Sequence, residues 1–131
     1  MPQQLHAVTL VVPDYDAALA FYVDRLGFDL QEDIPLGESK RWVRVAPPGA
    51  TTGSLLLAKA DGATQANAIG NQTGGRVGFF LSTDDFARDH ARMLDRGVQF
   101  EEDPRHESYG IVAVWQDPFG NRWDLIEFRK T

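Results

Sequence analysis

The sequence predicts an α+β fold in which a β-α-β-β-β module occurs twice in tandem. Three observations carry this prediction: an internal match at an offset of 70 residues, two helix patterns that end at a glycine, and two hairpin patterns. The match lays Leu26–Asp33 over Arg96–Asp103, and at the same offset Asp14 falls on Asp84. A repeat of this kind indicates a duplicated supersecondary unit.

Length and composition are those of one small globular domain, and we expect residues 1–131 to form it. The chain has 131 residues, of which 43% are hydrophobic, 11% aromatic and 24% charged. Its 13 Lys and Arg against 19 Asp and Glu give a net charge of −6, which argues against a nucleic-acid partner. No apolar run reaches the roughly 20 residues that span a bilayer, so no membrane partner is expected. The lack of cysteine is consistent with a cytoplasmic location.

Module 1 covers about residues 5–59 and opens with a strand pattern, His6–Val12. Asp14 then has the side chain and position of a helix N-cap. Apolar residues at helical spacing predict a helix over about Tyr15–Leu26, and Gly27 is placed to end it in the left-handed conformation that glycine adopts most easily. An extended segment begins at Phe28.

The rest of module 1 is predicted to be a hairpin, followed by a linker. Arg41–Val45 alternates in polarity, Pro47–Ala50 with a nearby glycine is typical of a turn, and Ser54–Ala58 returns. Residues of about 60–75 are rich in Gly, Ala, Asn, Gln and Thr, which is the composition of a linker.

Module 2 covers about residues 76–129 and repeats the same order. Its elements are a strand at Arg76–Leu81, an N-cap at Thr83 or Asp84, a helix over about Asp85–Arg96, a stop at Gly97, an extended segment beginning at Val98, a strand at Gly110–Trp115, a turn at Asp117–Asn121 and a last strand at Trp123–Phe128. Neither module is large enough to bury much core alone, so we expect the two sheets to associate.

Three stretches give the chain a resemblance to a known family. They are Leu5–Val8 with Asp16–Tyr22 and Leu26–Phe28, the second helix through Arg96–Val98, and Asp117–Asn121 with the strand after it. The chain resembles the vicinal oxygen chelate superfamily, which includes glyoxalase I, extradiol dioxygenases, fosfomycin-resistance proteins and bleomycin-resistance proteins. The resemblance implies a curled mixed sheet, a small-molecule pocket inside the curl, and a homodimer.

The resemblance also implies four positions that hold a divalent ion in the metal-dependent members. Here they carry His6, Arg76, one residue within Ser54–Leu57, and Asp124. A guanidinium has only donors and stays protonated, so Arg76 cannot ligate a cation, and the third stretch offers no carboxylate, amide or imidazole. At most His6 and Asp124 remain as ligands for zinc, nickel, manganese or iron, so we expect the full site to be missing.

The predicted pocket residues are His6, Arg76, Tyr109, Trp115 and Asp124. Arg76 either pairs with Asp124 across the pocket floor or faces an anionic group of a ligand, which a planar guanidinium suits. The indoles of Trp42, Trp115 and Trp123 either wall the pocket or fill a core or a dimer interface.

Three functions follow as hypotheses from different classes. The first is a metal-dependent lyase or isomerase of the glyoxalase type, or a dioxygenase-type oxidoreductase, with His6 and Asp124 as partial ligands. The second is a metal-free binder that sequesters a drug or metabolite. The third is a metal-independent enzyme in which His6 is the catalytic base and Asp124 orients it.

Overall fold

The computed structural model describes residues 2–130, and these divide between Gln72 and Thr73 into two compact units. Unit 1 follows the predicted order of elements. They are β1 (Ala7–Val12), α1 (Tyr15–Leu19), a π-helix (Ala20–Arg25), β2 (Asp29–Pro35), β3 (Arg41–Ala46), β4 (Ser54–Lys59) and α2 (Gly62–Ala68).

The four strands of unit 1 form a mixed sheet in the order β1-β4-β3-β2. β1 runs parallel to β4, and the other pairs are antiparallel. Because side chains alternate along a strand, one face of the sheet carries the fully buried Leu10, Val43 and Leu57. The opposite face carries Arg44 and Leu56, which the register places side by side.

The first helix differs from the prediction in its second half. Asp14 caps it as expected, because its side chain accepts a hydrogen bond from the Ala17 N–H at 2.9 Å. From Ala20 the helix is a π-helix, in which Leu26 N–H donates to the Phe21 carbonyl. Phe21 and Tyr22 are both buried there, with rings edge to face at 5.0 Å. Apolar spacing alone does not separate these two hydrogen-bond patterns, so the sequence predicts an ordinary α-helix.

Unit 2 contains the second module. Its elements are β5 (Phe79–Ser82), α3 (Phe86–Asp95), β6 (Gln99–Phe100), β7 (Arg105–Glu107), β8 (Gly110–Gln116) and β9 (Arg122–Phe128). The strands form a mixed sheet in the order β5-β9-β8-β6, with β7 also paired to β8, and β5 is parallel to β9. The predicted extended segment after Gly97 is split into the two short strands β6 and β7.

The N-cap of α3 was expected at Thr83 or Asp84, and that expectation is wrong. Asp85 is the cap, because its side chain accepts from the Arg88 N–H at 3.0 Å. Thr83 Oγ1 accepts from the Asp85 N–H, and the carboxylate of Asp84 pairs with Arg88. Three neighbouring residues with capping side chains leave the choice to the geometry of the turn.

Aromatic rings build the core of unit 2. Trp123 stacks on Phe79 and on Trp115, with ring centroids 4.8 and 5.0 Å apart. Trp115 is 0% exposed, so its ring packs in this core, which is one of the alternatives expected for the indoles. The β8–β9 turn falls where predicted, and the buried Asp117 Oδ1 accepts from the Phe119 and Asn121 N–H groups.

The predicted linker does more than connect the modules. It contains α2, and Gln72 near its end covers an open sheet edge of unit 1. The Gln72 amide accepts from the Val11 N–H at 2.9 Å and donates to the Thr9 carbonyl at 2.8 Å. An edge strand covered in this way offers fewer unpaired groups to another chain. None of the helices within residues 2–130 is long and apolar enough to cross a membrane.

β9 approaches β8 closely at Gly110, the first residue of β8. A Cβ at this glycine would lie 2.0 Å from the Glu127 carbonyl oxygen, whereas one at Gly53 would meet nothing within 4 Å. Both residues have positive φ, of 152° and 77°. We expect Gly53→Ala to lower the free energy of unfolding by about 1 kcal/mol through backbone strain, and Gly110→Ala by at least about 2 kcal/mol more through the added clash.

Urea unfolding followed by tryptophan fluorescence measures both variants. Gly53→Ala is the matched control, since it shares the backbone strain and lacks the clash. Equal losses for the two variants would contradict the close approach of β9 to Gly110.

Candidate functional site

A linked set of polar side chains lies on the sheet face of unit 1 opposite its buried core. We call this surface the Arg44 face; it comprises Glu32, Trp42, Arg44 and Leu56. Arg44 Nε donates to Glu32 Oε1 at 2.7 Å, and Trp42 Nε1 donates to the same oxygen at 3.0 Å. Arg44 also donates to Gln31 and, at 3.2 Å, to Ser54 Oγ.

These bonds fix the charges of the Arg44 face. The hydrogen bond from Arg44, joined by that from Trp42, holds the pKa of Glu32 below its usual range. Only 16% of the Arg44 side chain is exposed. Its guanidinium donates to several acceptors, which hold it in one orientation. A partly enclosed ion pair of this kind positions an indole and a guanidinium together on the sheet.

A cavity of about 640 Å³ opens on unit 1 between the β2–β3 loop, the end of β4 and the start of α2. This volume lies in the range of pockets that take drug-sized molecules. Tyr15, Trp42 and Leu56 supply aromatic and aliphatic surface. The other lining residues are Leu36, Ser39, Lys40, Arg41, Leu57, Ala58, Lys59, Ala60, Asp61 and Gln65.

Arg41 at this cavity is held by neighbouring residues. Its guanidinium donates to Asp33 and to Asp16, and its N–H donates to the Tyr15 hydroxyl. The hydrogen bond from Arg41 holds the pKa of Asp33 below its usual range. Lys40 and Lys59 also line the cavity. Within residues 2–130, neither ammonium group is held by a comparable set of carboxylates.

A second cavity in unit 1, of about 180 Å³, contains the predicted residue His6. It is also lined by Gln31, Arg44 and Ser54. His6 is exposed and lies just before β1, and its carbonyl accepts from Ser54 Oγ at 2.7 Å. His6 and Arg44 therefore line the same cavity.

Asp124 occupies the middle of β9 in unit 2. The register places it between Phe80 of β5 and Val114 of β8, on the face opposite Trp123. We call this surface the Asp124 face. Asp124 is half-buried, and its Oδ1 is enclosed without a hydrogen-bond partner among residues 2–130. Burial raises the pKa of the Asp124 carboxyl, and Arg105 acts in the opposite direction.

Arg76 and Asp124 do not form the predicted pair: no ion pair joins them in the described part of the chain. Arg76 is exposed and precedes β5, which begins at Phe79 and not at residue 76 as expected. The arginines that act on Asp124 are Arg105 and Arg122.

Tyr109, the remaining predicted pocket residue, lies between β7 and β8. It is 45% exposed, and its carbonyl accepts from the Arg129 N–H at 2.7 Å. Of the five predicted pocket residues, His6 belongs to unit 1 and the other four to unit 2.

The side chains at the four family positions do not fit a divalent metal ion. Within residues 2–130, no group of three or more His, Asp or Glu side chains is arranged to hold one. Arg76 offers only donors, and Ser54 Oγ is engaged with His6 and Arg44.

Sequence reasoning missed the groups that shape both faces. Glu32 and Arg44 lie on adjacent strands, and only the strand register shows that they are paired. Phe80 was identified only as part of a strand, although it is 66% exposed. An aromatic residue in a short edge strand beside a candidate ligand residue is the signal that could have identified it.

Comparison with known proteins identifies the family. The sequence profile of the Glyoxalase/Bleomycin resistance protein/Dioxygenase superfamily matches residues 4–125. An uncharacterized protein of Shewanella frigidimarina (strain NCIMB 400) is 52% identical over 128 residues, which are 97% of this chain and 95% of that protein.

Solved structures agree with this assignment. UcmS2 superposes with a TM-score of 0.83 at 30% identity, over 96% of this chain and 98% of its own. TnmS3, an antibiotic binding protein from Streptomyces sp. CB03234, has a TM-score of 0.78 at 34% identity, over 98% of both chains. The α+β fold with two modules and mixed sheets is therefore confirmed, and the chain belongs to the Glyoxalase/Bleomycin resistance protein/Dioxygenase superfamily.

Proposed function

We propose that this protein binds a small organic molecule directly through its side chains, without a resident metal ion. The observation that carries the proposal is the chemistry of the family's metal positions. One of them holds a guanidinium, and another lies within Ser54–Leu57, where the one hydroxyl, that of Ser54, is already engaged. Within residues 2–130, no group of three or more His, Asp or Glu side chains offers the donors that a Lewis-acid site needs.

The cavity of about 640 Å³ in unit 1 supports the proposal. Its aromatic and aliphatic surface from Trp42 and Leu56 can pack against a flat ligand, while polar groups at Lys40 and Gln65 fix its orientation. The indole of Trp42 is held in place by Glu32, so little side-chain entropy is lost when a ligand stacks on it.

The likeness to TnmS3 points to the class of ligand. That protein is described as antibiotic binding, and it shares 34% of its residues with this chain. We propose that this protein likewise sequesters a drug or drug-like metabolite. The cytoplasmic location also remains a prediction.

Trp42 provides the test. Purified protein in excess EDTA is titrated with a panel containing metal-free bleomycin and flat polycyclic antibiotics such as doxorubicin, and binding is followed by thermal shift and tryptophan fluorescence. We expect at least one member to bind with unchanged affinity in EDTA, and Trp42→Ala to weaken it roughly tenfold because a stacking surface is lost.

Trp42→Phe keeps an aromatic ring and should retain most of the affinity. Leu94→Ala, at an exposed position of α3, is the control that leaves the cavity intact. Binding that appears only after manganese, nickel or zinc is added would contradict the proposal, as would the absence of saturable binding across the panel.

We also propose that the two units form one domain and that the protein is a homodimer. Exposed apolar side chains on both units, among them Leu30, Ile34 and Phe128, are candidates for the interface. Sedimentation velocity is expected to give the mass of a dimer at tens of micromolar protein. A strictly monomeric species under those conditions would contradict it.

A further inference from the structure

We infer that Asp124 and Phe80 form a subsite for a positively charged group on a flat ligand. This inference rests on the proposed function and adds the charge of the ligand to it. It concerns the Asp124 face of unit 2, and its groups are all within that unit.

The first observation is the unpartnered carboxylate of Asp124. Its Oδ1 is enclosed and accepts no hydrogen bond from residues 2–130. A buried polar atom without a partner costs free energy, and each such atom in a folded protein calls for a physical reason. Because an ionised carboxylate shares its charge between both oxygens, a cation that approaches the accessible side of Asp124 compensates the whole group.

The second observation is the local balance of charge. Arg105 is paired with Glu102 at 3.0 Å and with Glu107 at 3.2 Å, and Arg122 is paired with Glu101 at 2.8 Å. The charged groups that act on Asp124 are Arg105, Glu102 and Arg122. Both arginines already have glutamate partners, and neither forms an ion pair with Asp124 within residues 2–130, so a cationic ligand group can serve as its countercharge.

The third observation is the exposed ring of Phe80. It lies directly across the β5–β9 pair from Asp124, on the same face, and is 66% exposed. The face of an aromatic ring attracts cations, and its apolar surface stacks on flat molecules. A carboxylate next to an exposed ring is the combination that suits an aromatic amine.

An anionic ligand group fits this face less well. Arg76 was the expected partner of an anionic ligand group. It is exposed and precedes β5, and it forms no ion pair with Asp124 within residues 2–130. An anion beside Asp124 would be repelled by its carboxylate. The overall charge of −6 acts in the same direction at long range.

A matched set of fluorescent probes tests the inference. The probes are 9-(aminomethyl)anthracene, 9-(hydroxymethyl)anthracene and anthracene-9-carboxylate, which share one ring system and differ in charge. Each is titrated into the full-length protein in excess EDTA and followed by fluorescence anisotropy. We expect the amine to bind roughly tenfold more tightly than the carboxylate.

Variants then locate the effect. Asp124→Asn should remove the preference for the amine, with a roughly tenfold loss of amine affinity, and Phe80→Ala should weaken the amine and the alcohol alike. Asp103→Asn is the matched control, because it removes the same charge at an exposed position that does not act on Asp124. Thermal melting and sedimentation of each variant show whether fold and assembly are preserved.

Equal binding of amine and carboxylate would overturn the inference, and so would an amine preference that survives Asp124→Asn or disappears equally in Asp103→Asn. Amine binding that strengthens on addition of manganese would also overturn it. If the alcohol binds and the amine shows no preference over the carboxylate, the proposed function stands and only the charged subsite fails.

Discussion

Side chains alternate between the two faces along the strands of both mixed sheets. This alternation decides which side chains form the core and which lie on the opposite face. In unit 1 it turns Leu10, Val43 and Leu57 into the core, and this leaves Arg44 on the other face. In unit 2 the same alternation buries Trp123 and puts Asp124 opposite it, next to Phe80. A shift of one residue in register would exchange the buried face and the opposite face, so the positions of the charged groups are fixed by the packing of their apolar neighbours.

The two copies of the module have kept one acidic group and changed its partners. Glu32 and Glu102 are equivalent at the 70-residue offset. Glu32 accepts from the side chains of Arg44 and Trp42, whereas Glu102 accepts from Arg105 and, at 2.9 Å, from the main-chain N–H of Val114. The residue equivalent to Arg44 in the second copy is Val114, which has no side-chain donor. The Arg44 face thus holds the Glu32–Arg44 ion pair, and the Asp124 face holds a carboxylate, that of Asp124, whose Oδ1 has no hydrogen-bond partner among residues 2–130.

The sequence was sufficient for the features that depend on local chemistry. Asp14 caps the first helix, Gly27 and Gly97 have positive φ, and the turn at Asp117–Asn121 lies where its residues predict it. It was insufficient where the outcome depends on hydrogen-bond geometry or on partners far along the chain. The π-helix, the cap at Asp85 and the Arg44–Glu32 pair all belong to that second class.

The central claim is that this protein recognises its ligand through side chains and not through a chelated ion. Isothermal titration of metal-depleted protein with nickel, zinc, manganese and iron(II), each in turn, tests it most directly. We expect no saturable one-to-one binding of any of the four ions in the micromolar range. Stoichiometric binding of one ion that is lost in both His6→Ala and Asp124→Ala would contradict it, because those two side chains would then be ligands of a resident metal.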